Sequence, residues 1–192
     1  MRRIGLLGGT FDPPHVGHLV VAECARVELE LDQVRLLVAG DPWMKSTESS
    51  ADDRVALVRA AVQEAPGIEV DDREVRRGGP TYTADTLAEL AAEEPEVAWH
   101  FLLGADAAIQ LPRWERGVEA MALATFVVVT RPGHGVEGAT EQVRALPQLA
   151  VPELDISSTE LRQRYREGGP TRFQVPPQVD DLVRDLGLYG SG

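Results

Sequence analysis

Apolar residues recur along this chain in two forms: short unbroken runs that end near glycine, and longer stretches spaced for one face of a helix. "RIGLLGG" (residues 3–9) reads as a buried strand closing on glycines. Residues 17–29 follow as a helix, with apolar positions Leu19, Val20, Ala22, Val27 and Leu29. "QVRLLVAG" (33–40) is the next strand, and "DPWMKSTESS" (41–50) is a loop. Ser50 caps the helix "ADDRVALVRAAVQEA", whose Asp52 and Asp53 suit the positive end of the helix dipole. "IEVDDREV" (68–75) is a strand and bend, and "RRGGPTYTADTLAEL" (76–90) is a turn and helix. "VAWHFLLGAD" (97–106) and "ATFVVVTRPG" (124–133) are further buried strands, each leading into a glycine turn. "HGVEGATEQ" is a surface loop and helix start. "ISSTELRQRYREG" (156–168) is a capped helix, and "PPQVDDLVRDLGLY" (176–189) is a last helix opened by proline.

Strands thus alternate with helices from one end to the other. The pattern predicts an α/β fold: a Rossmann-like, doubly wound parallel sheet with helices on both faces. One domain is expected over residues 1–189, with 156–189 as its C-terminal helical segment and 190–192 as a flexible end. In such sheets ligands bind beyond the carboxyl ends of the strands. The segments "GGTFDPPHVGH", "GDPWMK", "GAD" and "TRPG" all fall there.

Composition narrows the class. At 192 residues and 43% hydrophobic, the chain can bury a core without staples. No apolar run is long enough for a bilayer and residues 1–20 are no signal peptide, so a cytoplasmic protein with no membrane partner is expected. Cys24 is the only cysteine; it lies in an apolar helical pattern and reads as a structural thiol. A net charge of −12 argues against nucleic acid as the partner, though not against anionic small molecules held by a local positive site. Lys45 is the one lysine beside eighteen arginines, a balance that fits a GC-rich genome.

"GGTFDPPHVGHL" (8–19) is the most unusual stretch. It has neither the GxGxxG spacing of dinucleotide-binding turns nor the GxxxxGK[ST] of the usual phosphate loop. Gly8 and Gly9 permit close backbone approach to a ligand, and the helix after Gly17 turns its positive end to the same place. His15 and His18 on its first turn make a small positive pocket for phosphate. A zinc site is disfavoured, because no partner ligand stands at typical spacing.

The string resembles the (H/T)xGH signature of the nucleotidyltransferase superfamily. More specifically, it looks like the start of nicotinate-nucleotide adenylyltransferases, which make the deamido form of NAD. "GDPWMK", "GGPTYTADTL", "LLGAD", "RW", "TRPG", "ISSTELR" and "VPPQVDDLVRDLGLY" resemble that family's later landmarks, in order and over nearly the whole chain. "WMKSTES" is only faintly like the KMSKS loop of class I aminoacyl-tRNA synthetases. That loop lies near the end of their catalytic domain, where this chain has "ISSTELR".

The resemblance implies adenylyl transfer from ATP to nicotinate mononucleotide. The attacking phosphate oxygen is already ionised, so no general base is needed and catalysis is positioning plus charge stabilisation. His15 and His18 would be catalytic. Gly8, Gly9, Thr10, Phe11, Gly104, Asp106, Arg131, Ser157, Ser158, Thr159 and Arg162 would bind ATP. Asp106 would lie at the ribose, and the Ser157–Arg162 cluster at the β- and γ-phosphates. Alone, that cluster would read as a plain N-cap, and Asp106 as a helix cap. Tyr82, Thr83, Trp114 and Lys45 would bind the acceptor, Thr83 through a helix-start N–H and Trp114 by stacking on the cationic pyridine ring. Trp43 and Trp99 are alternative platforms, Trp99 fitting the core better. Lys45 as a plain solvated lysine is the competing reading. Mg²⁺ is expected to be held mainly by ATP phosphates, with no metal ligand supplied by the protein. A homo-oligomer is allowed, but no apolar stripe demands one. The rival readings are nicotinamide-mononucleotide, pantetheine-phosphate and cytidylyl transfer, and a non-catalytic nucleotide-binding regulator.

Overall fold

The five apolar segments read as strands all pair in one sheet, and a sixth strand joins them at the edge. In the computed structural model, which describes residues 1–42, 47–133, 135–136 and 138–191, the strands are β1 (Arg2–Gly9), β2 (Gln33–Val38), β3 (Ile68–Asp71), β4 (Val97–Gly104), β5 (Thr125–Thr130) and β6 (Gln148–Ala150). The helices are α1 (Val16–Glu28), α2 (Ala51–Val62), α3 (Arg73–Arg77), α4 (Thr83–Glu93), α5 (Ala105–Gln110), α6 (Gly117–Leu123), α7 (Glu141–Arg144), α8 (Ser158–Glu167) and α9 (Pro177–Asp185).

Each strand pair is parallel, in the order β3-β2-β1-β4-β5-β6. The chain winds outward from β1 in one direction and then from β4 in the other. The gap above β1 and β4 is therefore the switch point, where a doubly wound sheet leaves a crevice. Side chains alternate across the sheet with the strand period of two. Ile4, Leu6, Phe101, Leu103, Phe126 and Val128 pack on one face, against Leu87 and Leu90 of α4. Leu7, Leu36, Leu102 and Val127 pack on the other, against Ala22 and Ala25 of α1 and Val55 and Val58 of α2.

The opposite side of α2 carries a third cluster. Leu57 and Ala61 meet Leu161 and Tyr165 of α8, Val179 and Val183 of α9, and Tyr189. This packing brings the C-terminal helices back against the first half of the fold.

Three differences from the sequence reading have local causes. The bend after β3 is the short helix α3, where Arg73 turns back on Asp71, its Nε donating to both carboxylate oxygens at 2.9 Å. β6 spans three residues, too few to display a period. The stretch after β4 holds α5 and α6, likewise too short for a full apolar stripe. Among the described residues, no helix is long and apolar enough to cross a membrane.

Candidate active site

The turn after β1 explains its own composition. A Cβ on Gly9 would lie 2.8 Å from the Phe11 ring, so only glycine lets Phe11 fold back beneath the strand end. Phe11 itself is buried, with φ at 51°. A Cβ on Gly17 would lie 2.9 Å from His15 Nδ1. Glycine between the histidines is thus the condition for the His15 ring to lie across the start of α1. That ring stacks on His18, with centroids 3.8 Å apart and planes 29° from parallel, and Phe11 meets His18 edge-on at 4.9 Å.

The histidines differ electrostatically. The backbone N–H of His15 donates to His18 Nδ1 at 3.1 Å. A ring nitrogen that accepts carries no proton, so the neutral His18 ring holds its proton on Nε2. His15 Nδ1 is buried without a hydrogen-bond partner. Burial, and secondarily the charge of Arg131, push the His15 ring down to about 4. His15 is therefore an uncharged ring at neutral pH.

The start of α8 docks directly onto this turn. Ser157 caps the helix, accepting from the Glu160 N–H at 3.2 Å. Ser158 Oγ donates to the Pro13 carbonyl at 2.8 Å, and Arg162 donates to the Asp12 carbonyl at 2.8 Å. Thr159 Oγ1 stands 3.5 Å from the Arg162 guanidinium. The Val16 N–H at the head of α1 is taken by the Gln174 carbonyl at 2.9 Å.

Beneath lies a network that the sequence reading did not find. The buried Asp12 carboxylate accepts from the Glu48 N–H at 2.7 Å, from Ser49 Oγ, and from the Tyr189 hydroxyl at 2.7 Å. Burial pushes Asp12 up, but these three bonds and the Arg162 charge outweigh it, and the carboxyl sits below its ordinary range. Arg54, 1% exposed, donates to the carbonyls of Thr10 (3.0 Å), Ala39 (2.7 Å) and Gly40 (2.9 Å). It ties the end of β1 to the end of β2. Nothing in local sequence marks Arg54 or Tyr189, because their partners lie 44 and 177 positions away. Tyr189 belongs to a 3₁₀ turn, Leu188–Gly190, and Ser191 Oγ donates to the Val183 carbonyl at 3.0 Å.

On the β4 side, Gly104 ends the strand and Asp106 stands exposed in the first turn of α5. A Cβ on Gly8 would lie 3.5 Å from the Phe101 ring, in ordinary contact, and Arg131 is exposed just after β5. Tyr82 and Thr83 are half-buried at the start of α4. The Tyr82 carbonyl takes the N–H groups of Asp85 and Thr86 at 3.1 and 3.2 Å, while those of Thr83 and Ala84 precede the helix's own bonding. Thr81 Oγ1 and Trp114 Nε1 are both buried without partners. Trp114 meets Phe101 edge-on at 6.2 Å and borders a cleft of about 290 Å³ with Leu111, Pro112, Arg116, Met121 and Val143. An ion pair from Arg116 to Asp85 links this cleft to α4.

The structure therefore joins His15, His18, Ser158 and Arg162 through the turn after β1, with Gly104 and Asp106 on the neighbouring strand end. Tyr82 and Thr83 open α4 and Trp114 precedes α6, and the Arg116–Asp85 ion pair links the two segments. Trp99 is core, 4% exposed beneath the Arg35 guanidinium. Burial pushes the half-buried Cys24 thiol up, which makes it a poorer nucleophile. Lys45 and Trp43 lie outside the described residues. Among the described residues, no group of three or more His, Cys, Asp or Glu could hold a metal ion.

Histidines at a helix start above the switch point, joined to a Ser-Thr-Arg helix, are the geometry of a nucleotidyltransferase. A family model described as cytidylyltransferase-like matches residues 6–164, and the chain belongs to that family. Several similar proteins carry one name. A protein of Saccharopolyspora erythraea, named as a probable nicotinate-nucleotide adenylyltransferase, is 43% identical over 98% of this chain and 90% of its own. Proteins of the same name from a Synechococcus strain and from Oceanobacillus iheyensis are 40% identical (98% of this chain, 95% of theirs) and 37% identical (100% and 99%). Among solved structures, a Plasmodium falciparum nicotinic acid mononucleotide adenylyltransferase complexed with NaAD superposes with a TM-score of 0.83. It covers 100% of this chain and 99% of that one, and at 19% identity this likeness speaks for the fold.

Proposed function

We propose that this protein transfers the adenylyl group of ATP to nicotinate mononucleotide, giving deamido-NAD and pyrophosphate. The observation that carries the reading is the linked cluster of His15, His18, Ser158 and Arg162 at the switch point. The acceptor's 5′-phosphate oxygen attacks the α-phosphorus of ATP. A bond forms there as the bond from the α-phosphorus to the bridging oxygen breaks, and pyrophosphate leaves with the electron pair. No proton needs to move. The protein's share is alignment and stabilisation of charge on the α-phosphoryl oxygens. His18 supplies an Nε2–H donor and His15 an uncharged ring that stacks behind it. Ser157, Ser158, Thr159 and Arg162 hold the β- and γ-phosphates. Gly8, Gly9, Thr10 and Phe11 shape the floor, Asp106 beside Gly104 takes the ribose hydroxyls, and Arg131 adds charge. Mg²⁺ enters with ATP as part of the substrate, bound through its phosphates and water.

On the acceptor side, the N–H groups opening α4 at Thr83, next to Tyr82, take the nicotinate carboxylate, Lys45 assists, and Trp114 stacks on the pyridine ring. A carboxylate accepts at both oxygens, whereas a carboxamide must turn an NH₂ toward one donor. One charge-assisted bond lost is worth about 1.5–3 kcal/mol, so the nicotinate nucleotide is preferred over the nicotinamide nucleotide by roughly ten- to a hundred-fold. Pyrophosphate release from ATP, measured with nicotinate mononucleotide, nicotinamide mononucleotide and phosphopantetheine as acceptors, tests the reading. Equal kcat/KM on the two pyridine nucleotides would overturn the carboxylate assignment, and no release with either would overturn the function.

A further inference from the structure

Arg162 is not idle in this structure. Its Nε donates to Glu48 Oε1 at 2.8 Å, while Arg166, one turn further along α8, donates to the other oxygen, Oε2. Arg162 and Arg166 stand four apart, on one face of the helix. Glu48 therefore bridges two cations with its two oxygens, as an oxyanion ligand would, at the position where "ISSTELR" docks against the FDPPH turn. Its backbone is held there as well, through the N–H bond to Asp12 at 2.7 Å. The two arginines in turn hold the Glu48 carboxyl below its ordinary range.

Resting on the adenylyl-transfer reading, we propose that Arg166 is a further binding residue for the terminal phosphates of ATP, and that Glu48 fills the place of those phosphates until ATP arrives. Arg166 lies outside the stretch whose residues resemble the family motif, which ends at Arg162. The exchange is favourable because of exposure and charge. The side chains of Glu48 and Arg166 are 40% and 47% exposed, so their ion pair is a weak solvent-screened one. A triphosphate tail presents more negative charge and more acceptor oxygens to the same guanidinium forks. The exchange frees the Glu48 side chain, in the segment that also carries Ser49.

The test is calorimetric binding of α,β-methylene-ATP and of AMP to the full chain, in wild type, Glu48→Gln, Arg166→Gln and Arg162→Gln. Glu48→Gln removes the competing charge and keeps the shape, so it should bind the ATP analogue about two- to five-fold more tightly. Arg166→Gln should bind it about three- to ten-fold more weakly. AMP, which lacks the β- and γ-phosphates, should bind all of these forms alike. Equal or weaker analogue binding by Glu48→Gln would overturn the proposal, since Glu48 would then be ordering the arginines rather than occupying their site. A parallel change for AMP would also overturn it. Failure of the underlying reading looks different: the wild type would neither bind the analogue nor release pyrophosphate, or Arg162→Gln would bind as wild type does.

Discussion

On the α8 side, Asp12, Glu48, Ser49, Arg162 and Tyr189 bond to one another, and Ser158 bonds to the Pro13 carbonyl. At the α4 end, Thr81 Oγ1 and Trp114 Nε1 are buried without a partner. Arg162 in the first region must exchange bonds when it takes a ligand, whereas the second region, like His15 Nδ1 in the turn, has bonds to gain. A polar group buried without a partner costs roughly 1–3 kcal/mol, which a ligand can recover. Selectivity is accordingly expected at the α4 end, and rate and order at the α8 end and the turn it grips.

The largest expected effect lies in that turn. His18→Ala should leave the fold intact and lower kcat by roughly 10²–10³-fold, the scale for one preorganised donor at a developing charge. Near-normal turnover in a folded variant would move catalysis away from this ring. Trp114, by contrast, should act on both pyridine nucleotides alike, because both rings are cations that stack on indole.

The two sides should respond to pH in opposite senses. Glu74 of α3 is 4% exposed and accepts from Thr86 of α4 at 2.8 Å. Burial pushes its carboxyl up to about 7, against smaller opposing effects from Thr86 and Arg77. Between its ordinary value near 4.5 and about 7, the folded chain binds this proton and the unfolded chain does not. The contribution of Glu74 therefore declines as pH rises through that window and stays lost above it. Glu74→Gln should remove the decline. Compared at pH 4 and pH 8 by chemical denaturation, the variant should gain on wild type by on the order of 3 kcal/mol. His15, pushed down to about 4, acts in the opposite sense in both proteins and cancels in the difference. Parallel stability curves would show that α4 rests on no such proton.

The smallest effect tests the closed network. Tyr189→Phe deletes one of three bonds to Asp12 and should lower stability by about 1 kcal/mol in urea denaturation. No change would mean that Ser49 and the Glu48 N–H satisfy Asp12 unaided.

Much of the architecture was legible because its signals are local. The glycine-ended strands, the Ser50 cap on Asp53 and the Ser157 cap on Glu160 are set by residues within a few positions of one another. The need for Gly17 between the two histidines was legible for the same reason: all three act within one helical turn. β6, α5 and α6 escaped because a period cannot show in a handful of residues. The grip of Tyr189 and Ser49 on Asp12, and the hold of Arg54 on three carbonyls, had no local mark at all.

By itself, then, the sequence determined the parallel α/β plan and the identity of the chemistry. Hydrophobic period, caps and the His15–Gly17–His18 turn depend on neighbours along the chain. Tertiary structure alone decided which side chains complete the site. The packing of α2 against α8 and α9 brings residues more than a hundred positions apart within hydrogen-bond reach; the bonds and charges gathered there lower the Asp12 and Glu48 carboxyls, and burial raises the Tyr189 hydroxyl. Contacts across such distances are set by how helices stack, and no stretch of sequence contains that information on its own.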